Sequence, residues 1–167
     1  YFYKSTINEF VQDSLETIFG KLSLHDEGDT AATQKYAWAE EITVLQELLH
    51  PWKDEYAEII FEYSIPRLGK RIDAVLLLRS IVFILEFKVG EQHYLQSDME
   101  QVMDYALDLK NFHLDSHHRT IVPILVATEA KAYTTQLAFS VYNDCIYNPI
   151  LSNIEQLQQI IAKVIER

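Results

Sequence analysis

The sequence predicts an α/β fold: a mixed sheet sandwiched between helices. Three observations point there. Strand-like runs at about 57–65, 71–78 and 81–88 follow one another closely, and the last two are apolar nearly throughout, as in strands covered on both faces. Helix-period stripes precede and follow these runs, so helices must cover the sheet. The chain has 167 residues, 49% of them hydrophobic and 23% charged, which suits one domain with a sizeable core.

The elements follow in order. A first amphipathic helix is expected from about Thr6 to Phe19; Thr6 and Glu9 have capping-box spacing, and Phe10, Val11, Leu15, Ile18 and Phe19 form the stripe. Residues 24–33 read as a polar loop. A second helix covers about Gln34 to His50, stopped by Pro51, with a stripe of Trp38, Ile42, Leu45, Leu48 and Leu49. The first two strands are joined by the turn-rich Pro66-Arg67-Leu68-Gly69-Lys70. Only Arg79-Ser80 separates the second from the third, which predicts an antiparallel hairpin with a two- or four-residue loop. A third helix is placed from Ser97, with Glu100 completing a capping box, to about Asn111. Residues 112–119 form a His-containing loop, and a fourth strand spans 121–127, where Pro123 argues against a central position. Short strands are read at 139–142 and 145–147. Ser152 and Glu155 suggest another capping box, opening a last helix to about Ile165. The order is α-α-β-β-β-α-β with a tail ending in a helix.

Composition excludes several classes. Four glycines and four prolines rule out collagen-like or low-complexity character. No apolar run approaches ~18 residues, so no membrane partner is expected. Cys145, the single cysteine, cannot form an intrachain disulfide, a cysteine-rich zinc site or a four-cysteine cluster, and a reducing, cytoplasmic setting fits. Tyr1-Phe2-Tyr3-Lys4 does not read as a signal peptide, and a start at Tyr fits a domain cut from a longer protein. There is no Gly-x-x-x-x-Gly-Lys-Ser/Thr loop and no Gly-x-Ser-x-Gly elbow.

Net charge is 14 − 25 = −11, which opposes a general phosphate-binding surface. Residues 1–62 carry 13 acids and 4 bases; residues 63–167 carry 12 acids and 10 bases. Within 66–88, Arg67, Lys70, Arg71, Arg79 and Lys88 outnumber Asp73 and Glu86, reading either as a solvated surface or as a basic rim around two acids.

The hairpin carries the chemistry. Either symmetric loop gives a pairing sum of 78 + 81 = 159, and Asp73 and Glu86 share that sum. They would stand opposite each other with Cβ atoms roughly 5 Å apart. Like charges there need a positive partner, and oxygen-only ligation suits Mg²⁺ or Mn²⁺. Lys88, two residues beyond Glu86, shares its face. It could position or deprotonate a water, or stabilise developing charge. The bland alternative is a hairpin end at which Asp73 and Glu86 reach solvent and pair with Lys88 and Arg71. On the second helix, Glu41 falls inside the apolar stripe while Glu40 points away, so Glu41 either completes a metal site or reaches solvent at the stripe edge. Gln101 and Tyr105 share a face of the third helix at i and i+4.

Ile72-Asp73, Glu86-Phe87-Lys88 and Gln101-x-x-x-Tyr105, with Glu41 upstream on a helix, resemble the PD-(D/E)xK nuclease superfamily. The likeness is to the branch with a Gln-x-x-x-Tyr motif, which includes RecB-type domains and phage lambda exonuclease. It covers about residues 34–127 of what reads as one domain over 1–167. Glu62-Tyr-x-x-Pro66 through Lys70-Arg71-Ile-Asp73 also resembles nuclease-like bacterial domains fused ahead of helicase-type motors. The resemblance implies a restriction-endonuclease-like α-β-β-β-α-β core, a mixed sheet flanked by helices, with added N- and C-terminal helices. It implies Mg²⁺ (or Mn²⁺) held by Asp73, Glu86 and the Phe87 carbonyl, assisted by Glu41, with Lys88 as catalytic lysine and Gln101 and Tyr105 in support. The implied activity is metal-dependent hydrolysis of DNA phosphodiesters. Ile72 stands where the superfamily's name has Pro. The implied partners are DNA, a fused or partner helicase/ATPase domain, and, as a further option, a second copy of the chain.

Two other functions compete. One is a catalytically inactive binding or regulatory module on the same fold, within a larger bacterial nucleic-acid-processing or defence protein, favoured by the −11 charge. The other is a toxin- or defence-type protein whose acidic half docks on another subunit. His113, His117 and His118 read as a polar loop, with a metal site or phosphate contact as alternatives, and His93 and Tyr94 as candidate substrate contacts.

Overall fold

Backbone pairing in the computed structural model gathers the strand-forming runs into one open, mixed sheet of eight strands, flanked by five α-helices among the described residues. Those residues are 1–26, 28, 31–66 and 68–167, with the backbone alone for Leu114, Asn143 and Asp144. Glu27, Asp29 and Thr30 of the expected 24–33 loop, and Arg67 of the expected basic rim, lie outside them.

The strands are β1 (Tyr3–Thr6), β2 (Ala57–Ser64), β3 (Arg71–Leu78), β4 (Ile81–Lys88), β5 (Thr120–Ala127), β6 (Phe139–Ser140), β7 (Asn143–Tyr147) and β8 (Ile150–Ser152). The helices are α1 (Ile7–Gln12), α2 (Leu15–Leu24), α3 (Ala32–Leu49), α4 (Gln96–Phe112) and α5 (Ile154–Ile165). Spatial order is β1-β2-β3-β4-β5-β7-β6, with β8 also pairing β5. Strands β1 to β4 are antiparallel neighbours, whereas β4 and β5 run parallel because α4 carries the chain back across the sheet.

The β3–β4 hairpin pairs Leu78 with Ile81 and Ala74 with Leu85, which is the expected sum of 159. Its loop is the two-residue option. Arg79 (φ 50°) and Ser80 (φ 65°) both adopt the positive φ of a type I′ turn, without the usual glycine or asparagine. A fork from Arg79 to Glu55 (Nε–Oε2 2.8 Å, Nη2–Oε1 2.6 Å) ties the turn to the start of the sheet.

The expected first helix is two helices. Thr6 caps α1 as its spacing suggests, accepting from the Glu9 N–H at 3.2 Å. At Asp13 the backbone becomes extended, and Ser14 caps α2 by accepting from the Thr17 N–H at 3.1 Å. Two caps in one amphipathic stretch break it, and α3 holds the break. Gln46 Nε2 donates to the carbonyls of Phe10 (2.8 Å) and Asp13 (2.7 Å), satisfying helix-end acceptors. Replacing Gln46 by alanine is expected to lower stability by about 1–2 kcal/mol. Urea unfolding would show this as an earlier midpoint at unchanged slope.

Other boundaries differ for local reasons. Strand β1 is only four residues long, too short to display alternation, yet it pairs with β2. Helix α4 starts at Gln96 after an extended Leu95 with no side-chain cap, so Ser97 sits inside the first turn and the expected box with Glu100 does not form. Helix α5 is capped by Asn153, whose Oδ1 accepts from the Gln156 N–H at 3.0 Å, because Ser152 is consumed by β8. Strand β5 is central despite Pro123. Its outer partners change there, from Ile146 opposite Ile121 to Ile150 opposite Ile124, and Pro123 falls between the two pairings.

The sheet divides two apolar layers. Phe61, Ala74, Leu76, Phe83, Leu85 and Ile124 face α1–α3 and α5, through Phe10, Ile18, Trp38, Leu45 and Leu157. Ile60, Val75, Ile84 and Leu125 face α4, through Val102, Tyr105, Ala106 and Leu109. None of the described helices is long and apolar enough to cross a membrane.

Candidate functional site

The β3–β4 ladder stops at Ala74–Leu85, one residue short of Asp73 and Glu86. There the Asp73 side chain replaces a backbone partner: its Oδ2 accepts from the Phe87 N–H at 2.9 Å. On the other side of β3, Asp73 falls opposite Glu62, between the pairs Phe61–Ala74 and Tyr63–Ile72. Glu62 is left-handed (φ 51°), which costs a non-glycine residue about 1–2 kcal/mol. The packing reverses at this point. Phe61 and Ala74 belong to the α3 layer, but Tyr63 and Ile72, two residues along each strand, pack in the α4 layer. A regular strand would keep them on one side. Glu62 and Asp73 therefore occupy the reversal itself, between α3 and α4.

The motif residues arrive from four elements: Glu41 from α3, Asp73 from β3, Glu86, Phe87 and Lys88 from β4, and Gln101 and Tyr105 from α4. Glu86 is buried, follows Val82 and Ile84 on the α4 side of β4, and lies 3.7 Å (Oε1) from Lys88 Nζ. The Lys88 ammonium also lies 3.1 Å from Gln101 Oε1 and 3.5 Å from Asp98 Oδ1. Gln101 Nε2 in turn donates to the Tyr105 hydroxyl at 3.1 Å. Glu41 is 1% exposed, which removes the alternative of a stripe edge reaching solvent. Phe87 gives its N–H to Asp73 and buries its ring in the α3 layer.

Electrostatics reflect how closely the acids crowd one another. Burial, then repulsion from Asp73, Glu62 and Glu86, drives the Glu41 carboxyl well above the usual range. Burial and the Asp73 charge do the same to Glu86, against the pull of Lys88. Asp73 rises from 3.8 to about 7, chiefly through burial, against the Phe87 N–H bond that favours its anion. Burial, with Glu86 and Asp73 nearby, also pushes the Tyr105 hydroxyl up, so it stays protonated.

These shifts set a pH dependence. Folded Asp73 keeps its proton until about pH 7, whereas the unfolded chain releases it near 3.8. The folded state binds more protons across that window, so the contribution is favourable near pH 4 and is lost as pH rises through 7. Glu41 and Glu86 act in the same direction. The melting temperature measured in EDTA is therefore expected to fall from pH 5 to pH 8, and Asp73→Asn to flatten the decline.

Among the described residues, Glu41 Oε2 and Glu86 Oε2 are buried with no hydrogen-bond partner. Orphaned carboxylate oxygens are costly unless something cationic or protonic serves them. Among the described residues, no three His, Cys, Asp or Glu side chains are arranged as a ready cation cage. The donor chemistry, oxygen only and strongly anionic, nevertheless fits a hard divalent ion.

The basic rim is largely neutralised. Lys70 pairs with Asp108 (3.1 Å), Arg79 with Glu55, and Arg71 sits 3.7 Å from Glu62 Oε2. In the histidine loop, His113 is engaged away from the carboxylates: its Nδ1 lies 3.0 Å from Ser116 Oγ, and its ring meets Tyr63 edge-on. Tyr94 bonds the Lys131 carbonyl instead of a site residue. Two participants were not assigned to the site from the sequence, although Glu62 was quoted in the resemblance. Asp98 lies three residues before Gln101 on α4, so helical spacing could have found it. Glu62 required the β2–β3 register, which the link at 66–70 does not fix.

Compared with known proteins, the chain matches no family model, no curated sequence and no solved structure.

Proposed function

We propose that this chain is a metal-dependent nuclease domain of the PD-(D/E)xK kind, hydrolysing phosphodiester bonds of DNA. The observation that carries this reading is a Lys88 ammonium held by Gln101 and 3.7 Å from the buried Glu86, beside an Asp73 carboxylate fixed by the Phe87 N–H. The order α3-β2-β3-β4-α4-β5, antiparallel and then parallel, supports a restriction-endonuclease-like core.

In this reading Asp73, Glu86 and the Phe87 carbonyl would hold Mg²⁺ or Mn²⁺, with Glu41 assisting. Such an ion, when bound, polarises a phosphoryl oxygen and acidifies water. The protein's own groups do the rest. The Phe87 N–H fixes the Asp73 carboxylate. Gln101, itself oriented by Tyr105, fixes Lys88, and Asp98 stands 3.5 Å from that amine beside Glu86. A charged amine so placed orients the attacking water and stabilises negative charge developing on the phosphate.

The test is incubation of the purified protein with linear DNA and with RNA in Mg²⁺, in Mn²⁺ and in EDTA. Cleavage of DNA that needs the metal is expected. Intact DNA and RNA in both metals would contradict the reading and favour the inactive module, for which the net charge of −11 speaks.

A further inference from the structure

We propose that Arg71 is the residue that takes a phosphate of the nucleic-acid strand and sets it against the carboxylate cluster; this rests on the nuclease reading above. A chain of net charge −11 needs a local, pre-positioned cation to hold a polyanion. Arg71 lies two residues before Asp73 on β3, and its side chain is 41% exposed. Its guanidinium carbon stands 4.8 Å over the Phe2 ring, so the flat group is held from below while its edge stays open.

Its ion pair is loose. Arg71 Nε is 3.7 Å from Glu62 Oε2, beyond hydrogen-bonding distance, and no hydrogen bond from its terminal nitrogens is made among the described residues. Lys70, Arg79 and Lys88 are by contrast each engaged by an acceptor at 3.1 Å or less. Glu62 does not depend on Arg71 to stay in place. Its Oε1 accepts from Trp38 Nε1 at 2.8 Å and Gln34 Nε2 at 3.0 Å, so it survives the departure of the guanidinium. The left-handed Glu62 backbone is then explained. Strain at this position puts a fixed anion beside Arg71 that aims it without satisfying it. A guanidinium with open donors is suited to bidentate phosphate binding, which a lysine ammonium cannot reproduce.

The test is binding of a fluorescein-labelled DNA oligonucleotide over a range of salt in EDTA, with steady-state cleavage in Mg²⁺ alongside. Arg71→Ala is expected to weaken binding about tenfold, to lower the slope of log affinity against log salt by about one, and to raise KM with kcat within about threefold. Arg71→Lys should keep the salt slope and recover only part of the affinity. Phe2→Leu, which keeps every charge, should weaken binding severalfold at unchanged slope. An Arg71→Ala protein with wild-type affinity, slope and KM overturns the proposal. A protein that cleaves nothing but shows these binding changes retains the phosphate contact and loses the nuclease reading. A protein that binds no DNA at all overturns both.

Discussion

Lys88→Ala is expected to lower kcat for DNA hydrolysis by roughly 10²–10⁴-fold, with a smaller change in KM. The amine lies within 4 Å of Glu86, Asp98 and Gln101, so its position is over-determined before any substrate arrives. A second effect follows from the same contacts. Lys88 pulls the carboxyls of Glu86 and Asp73 down against their burial. Its loss raises both further, so the metal requirement of the residual activity should shift to higher pH. Lys88→Arg keeps the charge but presents a planar fork to a site built for a point donor, and rescue should be slight. A Lys88→Ala protein that cleaves within threefold of wild type contradicts the assigned role; single-turnover rates in saturating Mg²⁺ decide it.

Glu41→Gln should separate stability from activity. In EDTA the wild-type side chain is buried, repelled by four acids (Asp73, Glu62, Glu86 and Glu40), and left with an Oε2 that has no partner among the described residues. The amide keeps the shape and removes the charge, so the variant should be more stable at pH 7.5 by about 1–3 kcal/mol. For a chain of this size that is a rise in melting temperature of roughly 3–10 °C. The same change should cost activity about tenfold or more and weaken the stabilisation that Mg²⁺ confers. A melting temperature unchanged or lowered in EDTA would show that Glu41 is not an electrostatic burden held for function.

Much of this site was legible because β3 and β4 are joined by two residues. A short loop fixes register, and that register ends the β3–β4 ladder at Ala74–Leu85, next to Asp73 and Glu86. Helical spacing likewise put Gln101 over Tyr105 and Glu41 on the buried side of α3. What resisted was non-local or irregular. No periodicity announces that two strands reverse their faces at Glu62 and Asp73, since the reversal depends on a left-handed residue that is not glycine. The break between α1 and α2 depends on Gln46, more than thirty residues away, and β1 on pairing with β2. Capping boxes misled where the backbone had another use for the residue, as with Ser152 in β8.

The most direct measurement is a crystal grown in Mn²⁺ and examined by anomalous scattering. One strong peak is expected between the carboxylates of Asp73 and Glu86, within ligand distance of the Phe87 carbonyl, and lost in Asp73→Ala. No peak at that position would contradict a shared ion at this hairpin.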